Sequence, residues 1–281
     1  MTSHALVVPH DQDLLRRLKG QTVVVRTDDP ASVATILTDT DRHDLRLRGI
    51  WLKAGGALAN VEVDESWRRC RVALEVDVMG SYRVLRRRLG LLSGLRTRVY
   101  LSTREPENVT NVRVLASLGV ACAVVIEQPV DWDALADLAT YALLGLRSRG
   151  SIEPMHYLAR NYVARHRTDF GAIYFDDPKN LLHVDDQGRV ALSHRELLRG
   201  DVVLQSVDEL SGLECVEAYQ ERIYGWQRHF LDADACACCP GWRICLGRYL
   251  GSGSSGCASF FEELLDLVEQ YQARRGQGRL G

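Results

Sequence analysis

Short β-branched runs alternate with helix-spaced apolar segments through the first half of the chain. Thr22–Arg26, Gly49–Lys53, Arg71–Asp77, Thr97–Leu101 and Ala121–Ile126 read as strands. Helices are predicted over Pro30–Leu37, with proline in the first turn, then Tyr82–Leu92, Asn108–Leu118 and Trp132–Leu146. A short helix over Asp11–Leu18 is expected ahead of the first strand. Strands alternating with helices imply right-handed βαβ units and a parallel sheet, as a partial or complete barrel or an open wound sheet. Ligands of such sheets sit at the carboxyl ends of the strands. Those ends carry Asp28, Lys53, Glu75, Asp77, Glu105 and Glu127 here, and strand ends are commonly polar in any case.

The pattern changes after Gly150. Ile152–Arg165 reads as one long helix. Leu181–Leu192 reads as a β-hairpin turning at Gln187-Gly188, and Phe260–Tyr271 as an amphipathic helix. A domain boundary is placed near residue 165, dividing the chain into 1–165 and 166–281.

A chain of 281 residues, 46% hydrophobic and 26% charged with net charge −2, can bury a full core. No apolar run is long enough for a membrane span, and the near-neutral charge leaves no footprint for nucleic acid. Arg86-Arg87-Arg88 reads as a solvated helix face. The first ten residues have neither the basic region nor the apolar run of a secretory signal, so a cytoplasmic location is expected.

Cysteine usage changes the picture most. Five of the eight cysteines fall between Cys236 and Cys257. In a reducing compartment such a cluster reads as a metal site before a disulfide knot. Cys236, Cys239, Cys245 and Cys257 can supply four thiolates, to a tetrahedral zinc or to a cubane iron–sulfur cluster, and spacing does not choose between them. Cys238 is a spare thiol or a substitute for one neighbour. Cys70, Cys122 and Cys215 are scattered and read as core thiols.

The hairpin and the cysteines together resemble the SPASM domain, the cluster-binding extension of radical S-adenosylmethionine enzymes that modify ribosomal peptides. Cys236, Cys239 and Cys245 match its C-x2-C-x5-C, and Cys257 stands as its last cysteine. The resemblance implies that these four bind one auxiliary [4Fe–4S] cluster. The ligands of the other auxiliary cluster are missing. Ser193 follows Gly188 where the pattern has cysteine, Tyr249 holds the x3-C position, and Ala172–Pro178 contains no cysteine. The N-terminal half resembles the partial (β/α) barrel of the same enzymes without their C-x3-C-x2-C, since the loop Thr27–Ser32 has no cysteine. Gly55-Gly56-Ala57-Leu58 is similar to their G-G-E-P turn without its acid.

The whole is similar to SPASM-domain accessory proteins of GeoRSP-type peptide-modification systems. The fold this implies is a degenerate radical S-adenosylmethionine barrel followed by a small cysteine-rich domain. The function it implies is a non-catalytic partner of a radical enzyme acting on a ribosomal precursor peptide, holding one [4Fe–4S] cluster and no S-adenosylmethionine. Two alternatives stay open: a zinc-stabilised scaffold, and an independent barrel enzyme using Asp28, Glu75, Asp77 and Glu127 as acid and base groups. His194 is either a substitute cluster ligand or a surface histidine. Trp226, His229 and Phe230 are expected to shield the cluster.

Overall fold

The computed structural model describes residues 4–145, 149–164, 166–225, 227, 234–249 and 256–277. Nine strands form one sheet: β1 (Ala5–Pro9), β2 (Thr22–Thr27), β3 (Arg46–Lys53), β4 (Val72–Val76), β5 (Thr97–Ser102), β6 (Ala121–Val125), β7 (Ile152–Glu153), β8 (Leu181–Val184) and β9 (Val190–Ala191). Their spatial order is β7-β6-β5-β4-β3-β2-β1-β8-β9. Every pairing is parallel except β8 with β9. From β1 to β7 each strand lies beside its predecessor, so right-handed crossovers put successive helices on one face, as in a barrel wall. The two edges, β7 and β9, are not paired to each other, so the wall stays open.

Four local expectations need correction. The expected helix forms, over Gln12–Arg17, but an unforeseen strand, β1, precedes it; Leu6, Val7 and Val8 are at most 1% exposed because β2 and β8 flank them on both sides. Ile152–Glu153 is a strand against β6, and the helix is only Met155–Asn161. Pro154 accounts for this, since the residue before a proline is pushed away from helical backbone. The predicted Tyr82–Leu92 helix is split into Tyr82–Leu85 and Leu89–Gly94. Between them Arg88 turns inward and donates to the carbonyls of Ala59 and Val61, while Arg86 and Arg87 stay exposed. Cys215 is exposed and is no core thiol, whereas Cys70 and Cys122 are buried.

The hairpin forms as expected, with Gly188 at a φ of 86° in its turn. Its first strand pairs with β1, so the sheet runs across residue 165 without a break. The segment before the hairpin lies against the face of the sheet that carries Trp51 and Tyr100. There Tyr100 donates to the carbonyl of Ile173, and Tyr174 donates to that of Val124. Among the described residues, no helix is long and apolar enough to cross a membrane.

Candidate metal centre

Three of the four predicted ligands lie in a run of tight turns. Cys236 is in the helical turn Asp234–Ala237, and its carbonyl accepts the Cys239 amide at 3.1 Å. The Cys239 carbonyl then accepts the Trp242 amide at 3.2 Å, opening the turn Trp242–Cys245. Leu246 and Gly247 follow with φ of 51° and 76°. Left-handed backbone at a leucine is uncommon, and such positions gather at functional sites. Here it folds the chain back, with the Arg248 amide donating to the Cys245 carbonyl at 3.0 Å, and the nearby amides of Tyr249, Gly247 and Arg248 pull the Cys245 thiol pKa down against burial. The Gly241 amide likewise lowers the Cys239 thiol pKa against burial. Cys257 comes from the first turn of the long helix Gly256–Gln277.

The thiols share one electrostatic neighbourhood. Burial is the main cause raising the pKa of Cys236, Cys239 and Cys245, and the charge of Cys257 raises all three further. Cys245 is buried, and Cys236, Cys239 and Cys257 are half-buried. Cys238 is exposed. Among the described residues, no three cysteines, histidines or carboxylates converge closely enough to hold a single metal ion. A mononuclear zinc needs sulfurs about 3.7 Å apart, from Zn–S bonds of about 2.3 Å in a tetrahedron. A four-iron cube takes one cysteine at each iron, which spaces its ligand sulfurs by about 6–7 Å. Four thiolates are a suitable donor set for either centre.

Aromatic packing fixes these turns against the helix Trp132–Leu144. Trp132 lies 5.9 Å from Tyr249 and 5.3 Å from Phe260, and Tyr249 stacks on Phe261 at 5.8 Å. Two glycines admit this packing. A Cβ at Gly241 would stand 2.3 Å from Cβ of Phe261, and one at Gly256 would stand 2.6 Å from the Trp132 ring. Arg248 adds the polar anchor, pairing with Asp176 at 2.6 Å and Asp169 at 3.2 Å. Those two carboxylates hold its guanidinium protonated against the cost of burial.

The positions that depart from the resemblance have other work. Tyr249 belongs to the aromatic cluster, and Ser193 caps the helix His194–Arg199 by accepting the Glu196 amide at 3.2 Å. Ala172–Pro178 supplies Tyr174 and Phe175 to the sheet face and Asp176 to Arg248. His194 is not a surface histidine. Its ring is half-buried, accepts from the Arg26 guanidinium at 2.6 Å, and meets Trp51 edge-on at 5.2 Å.

The candidate acid and base groups do not form one constellation. Glu75 accepts from the Trp51 indole at 3.0 Å and pairs with Lys53 at 3.6 Å. Asp77 accepts the Gly56 amide at 2.6 Å, bracing a turn in which Gly55 and Gly56 have φ of 61° and 53°. Glu127 accepts from Ser102 at 2.5 Å and pairs with Arg104 at 3.3 Å, and Asp28 is exposed. Trp226, His229 and Phe230 lie outside the described residues.

Sequence reasoning missed Arg248 and Phe175. Arg248 follows the cysteines closely, but its partners Asp169 and Asp176 lie more than seventy residues earlier. The one signal for Phe175 was the cysteine-free aromatic run Tyr174-Phe175 itself. Comparison with protein-family models, curated proteins and solved structures finds no match.

Proposed function

We propose that Cys236, Cys239, Cys245 and Cys257 hold one [4Fe–4S] cluster, and that the protein is a non-catalytic, cytoplasmic partner of a radical S-adenosylmethionine enzyme acting on a ribosomal precursor peptide. What supports the first half is the C-x2-C-x5-C spacing of Cys236, Cys239 and Cys245, followed by Cys257, whose charge acts on each of the other three thiols. A bound cluster would supply one-electron redox chemistry, and four protein thiolates leave it no open iron for substrate. The chain's own part is to favour the thiolates with backbone amides, to keep Cys245 dry, and to tie the loop to the barrel through Arg248. Amide hydrogen bonds to the sulfurs and limited water both tune such a centre.

The second half rests on the resemblance and on how the barrel mouth is filled. Trp51, Phe175 and His194 crowd the face where a cofactor would lie in the enzymes that the barrel resembles. The strand-end carboxylates Glu75, Asp77 and Glu127 are engaged with Lys53, Gly56 and Arg104, which disfavours an independent acid–base enzyme.

Anaerobic purification followed by iron, sulfide and zinc quantification tests the cluster. About four irons and four sulfides per chain are expected, with a paramagnetic signal on reduction. Zinc in place of iron would sink this reading in favour of a scaffold. With dithionite and S-adenosylmethionine the isolated protein is expected to form no 5′-deoxyadenosine.

A further inference from the structure

A second site lies at the other end of the barrel wall. β3, β4 and β5 each place an arginine near their amino-terminal ends: Arg48, Arg71 and Arg96. Parallel pairing aligns Arg71 with Arg96 just before the Val72–Thr97 partners, and the carbonyl of Arg71 accepts the Ile50 amide, which leaves Gly49 opposite Arg71 and Arg48 one residue before it. Neighbouring strands lie about 4.8 Å apart, so the three guanidiniums start from one short row.

The row borders a cavity of about 720 Å³ that Tyr100, Ile173 and Phe175 also line. Arg98 and Arg160 line the same cavity, and both pair with Glu153, at 3.1 and 2.5 Å. The Glu153 carboxylate is 1% exposed, so that charge is already consumed. The three row arginines also border an adjoining cavity of about 520 Å³, where Asp41 is paired with Arg69 at 3.2 Å. Six guanidiniums thus face two carboxylates, and among the described residues none pairs with Arg48, Arg71 or Arg96.

We infer that this cavity binds a small polyanion carrying two or more phosphate or carboxylate groups. The volume is that of a small-molecule site, within the usual range of about 300–1,000 Å³. The guanidinium fork matches both oxyanions with paired hydrogen bonds. The site is lined by none of the cysteines of the proposed cluster, so its occupancy and theirs are separate questions.

Titration calorimetry of the full chain with inorganic pyrophosphate and with citrate tests the inference and separates a phosphate from a carboxylate preference. At least one is expected to bind, weakening with added salt. The double variant Arg71→Gln/Arg96→Gln is expected to weaken it at least tenfold. Both side chains are exposed, so folding should survive, and an unfolding curve checks this. Arg46→Gln, exposed on β3 but outside the cavity, is expected to bind as the parent does. Failure of both anions to bind, or binding unchanged in the double variant, would overturn the inference. Displacement of both by a much tighter acidic peptide or oligonucleotide would overturn the small-molecule class.

Discussion

The ring of Phe175 stacks on Trp51 at 4.9 Å with 14° between the planes, and it does so from left-handed backbone, with φ of 55°. The contact joins the segment before the hairpin to the centre of the sheet. A phenylalanine holds such a conformation only where surrounding structure over-determines it. Phe175→Ala is expected to cost about 2–3 kcal/mol, from the lost ring contact and the space left behind. Phe175→Gly is expected to cost no more, although it removes one carbon further, because glycine relieves about 1 kcal/mol at positive φ. Urea unfolding of the two variants decides it. A markedly less stable glycine variant would show that no backbone strain resides there.

Arg248 ties the cysteine loop to Asp169 and Asp176 from a mostly buried position, with its side chain 24% exposed. Arg248→Met is expected to lose about 2–3 kcal/mol, because Asp169 is left half-buried without this cation and Asp176 keeps only Arg222. Arg248→Lys is expected to recover little, since a lysine cannot span both carboxylates and the Asp176 carbonyl that Arg248 also reaches. Equal stability of the lysine variant and the parent would refute the multidentate account.

The exposed Cys238 and the buried Cys245 make a paired test of the ligand set. Cys245→Ala and Cys239→Ala are expected to lose most of the bound iron, and with it stability, because metal binding contributes to folding. Cys238→Ala is expected to keep both. Iron content and thermal midpoints of the three variants, purified anaerobically, are the measurement. Full iron in Cys245→Ala would remove it from the ligand set.

Two histidines with lowered pKa are expected to make the fold acid-sensitive. His183 donates through Nε2 to the Phe175 carbonyl at 2.7 Å, and its buried Nδ1 has no partner. Burial foremost, then repulsion by Arg26 against the pull of that carbonyl and of Asp176, lowers its pKa from 6.5 to about 4. Burial and the charges of Arg26, Lys53 and His183 lower His194 from 6.5 to about 3. Between those values and 6.5 the unfolded chain binds more protons than the folded one. Stability should therefore rise with pH up to about 6.5 and level off above it. Urea midpoints across that range, for the parent and His183→Gln, check this. The slope below pH 6.5 should be shallower in the variant.

The alternation of β-branched runs with helical spacing was enough to specify the parallel wall from Thr22 to Leu144, because each βα unit buries its own apolar face against the next. Gly188 likewise marked the hairpin turn, while the cysteine spacing supplied the ligand set proposed above, Cys236, Cys239, Cys245 and Cys257. These are local signals, carried by residues close together in the chain. What only the tertiary structure decided depends on distant partners. Ala5–Pro9 became a strand because β2 and β8 flank it, and His194 went to Arg26 and Trp51. Arg48, Arg71 and Arg96 became a row because parallel pairing brings three strand starts together. A local pattern states which face a residue turns inward. Which distant residue meets it there is set by strand order and by the packing of loops onto the sheet.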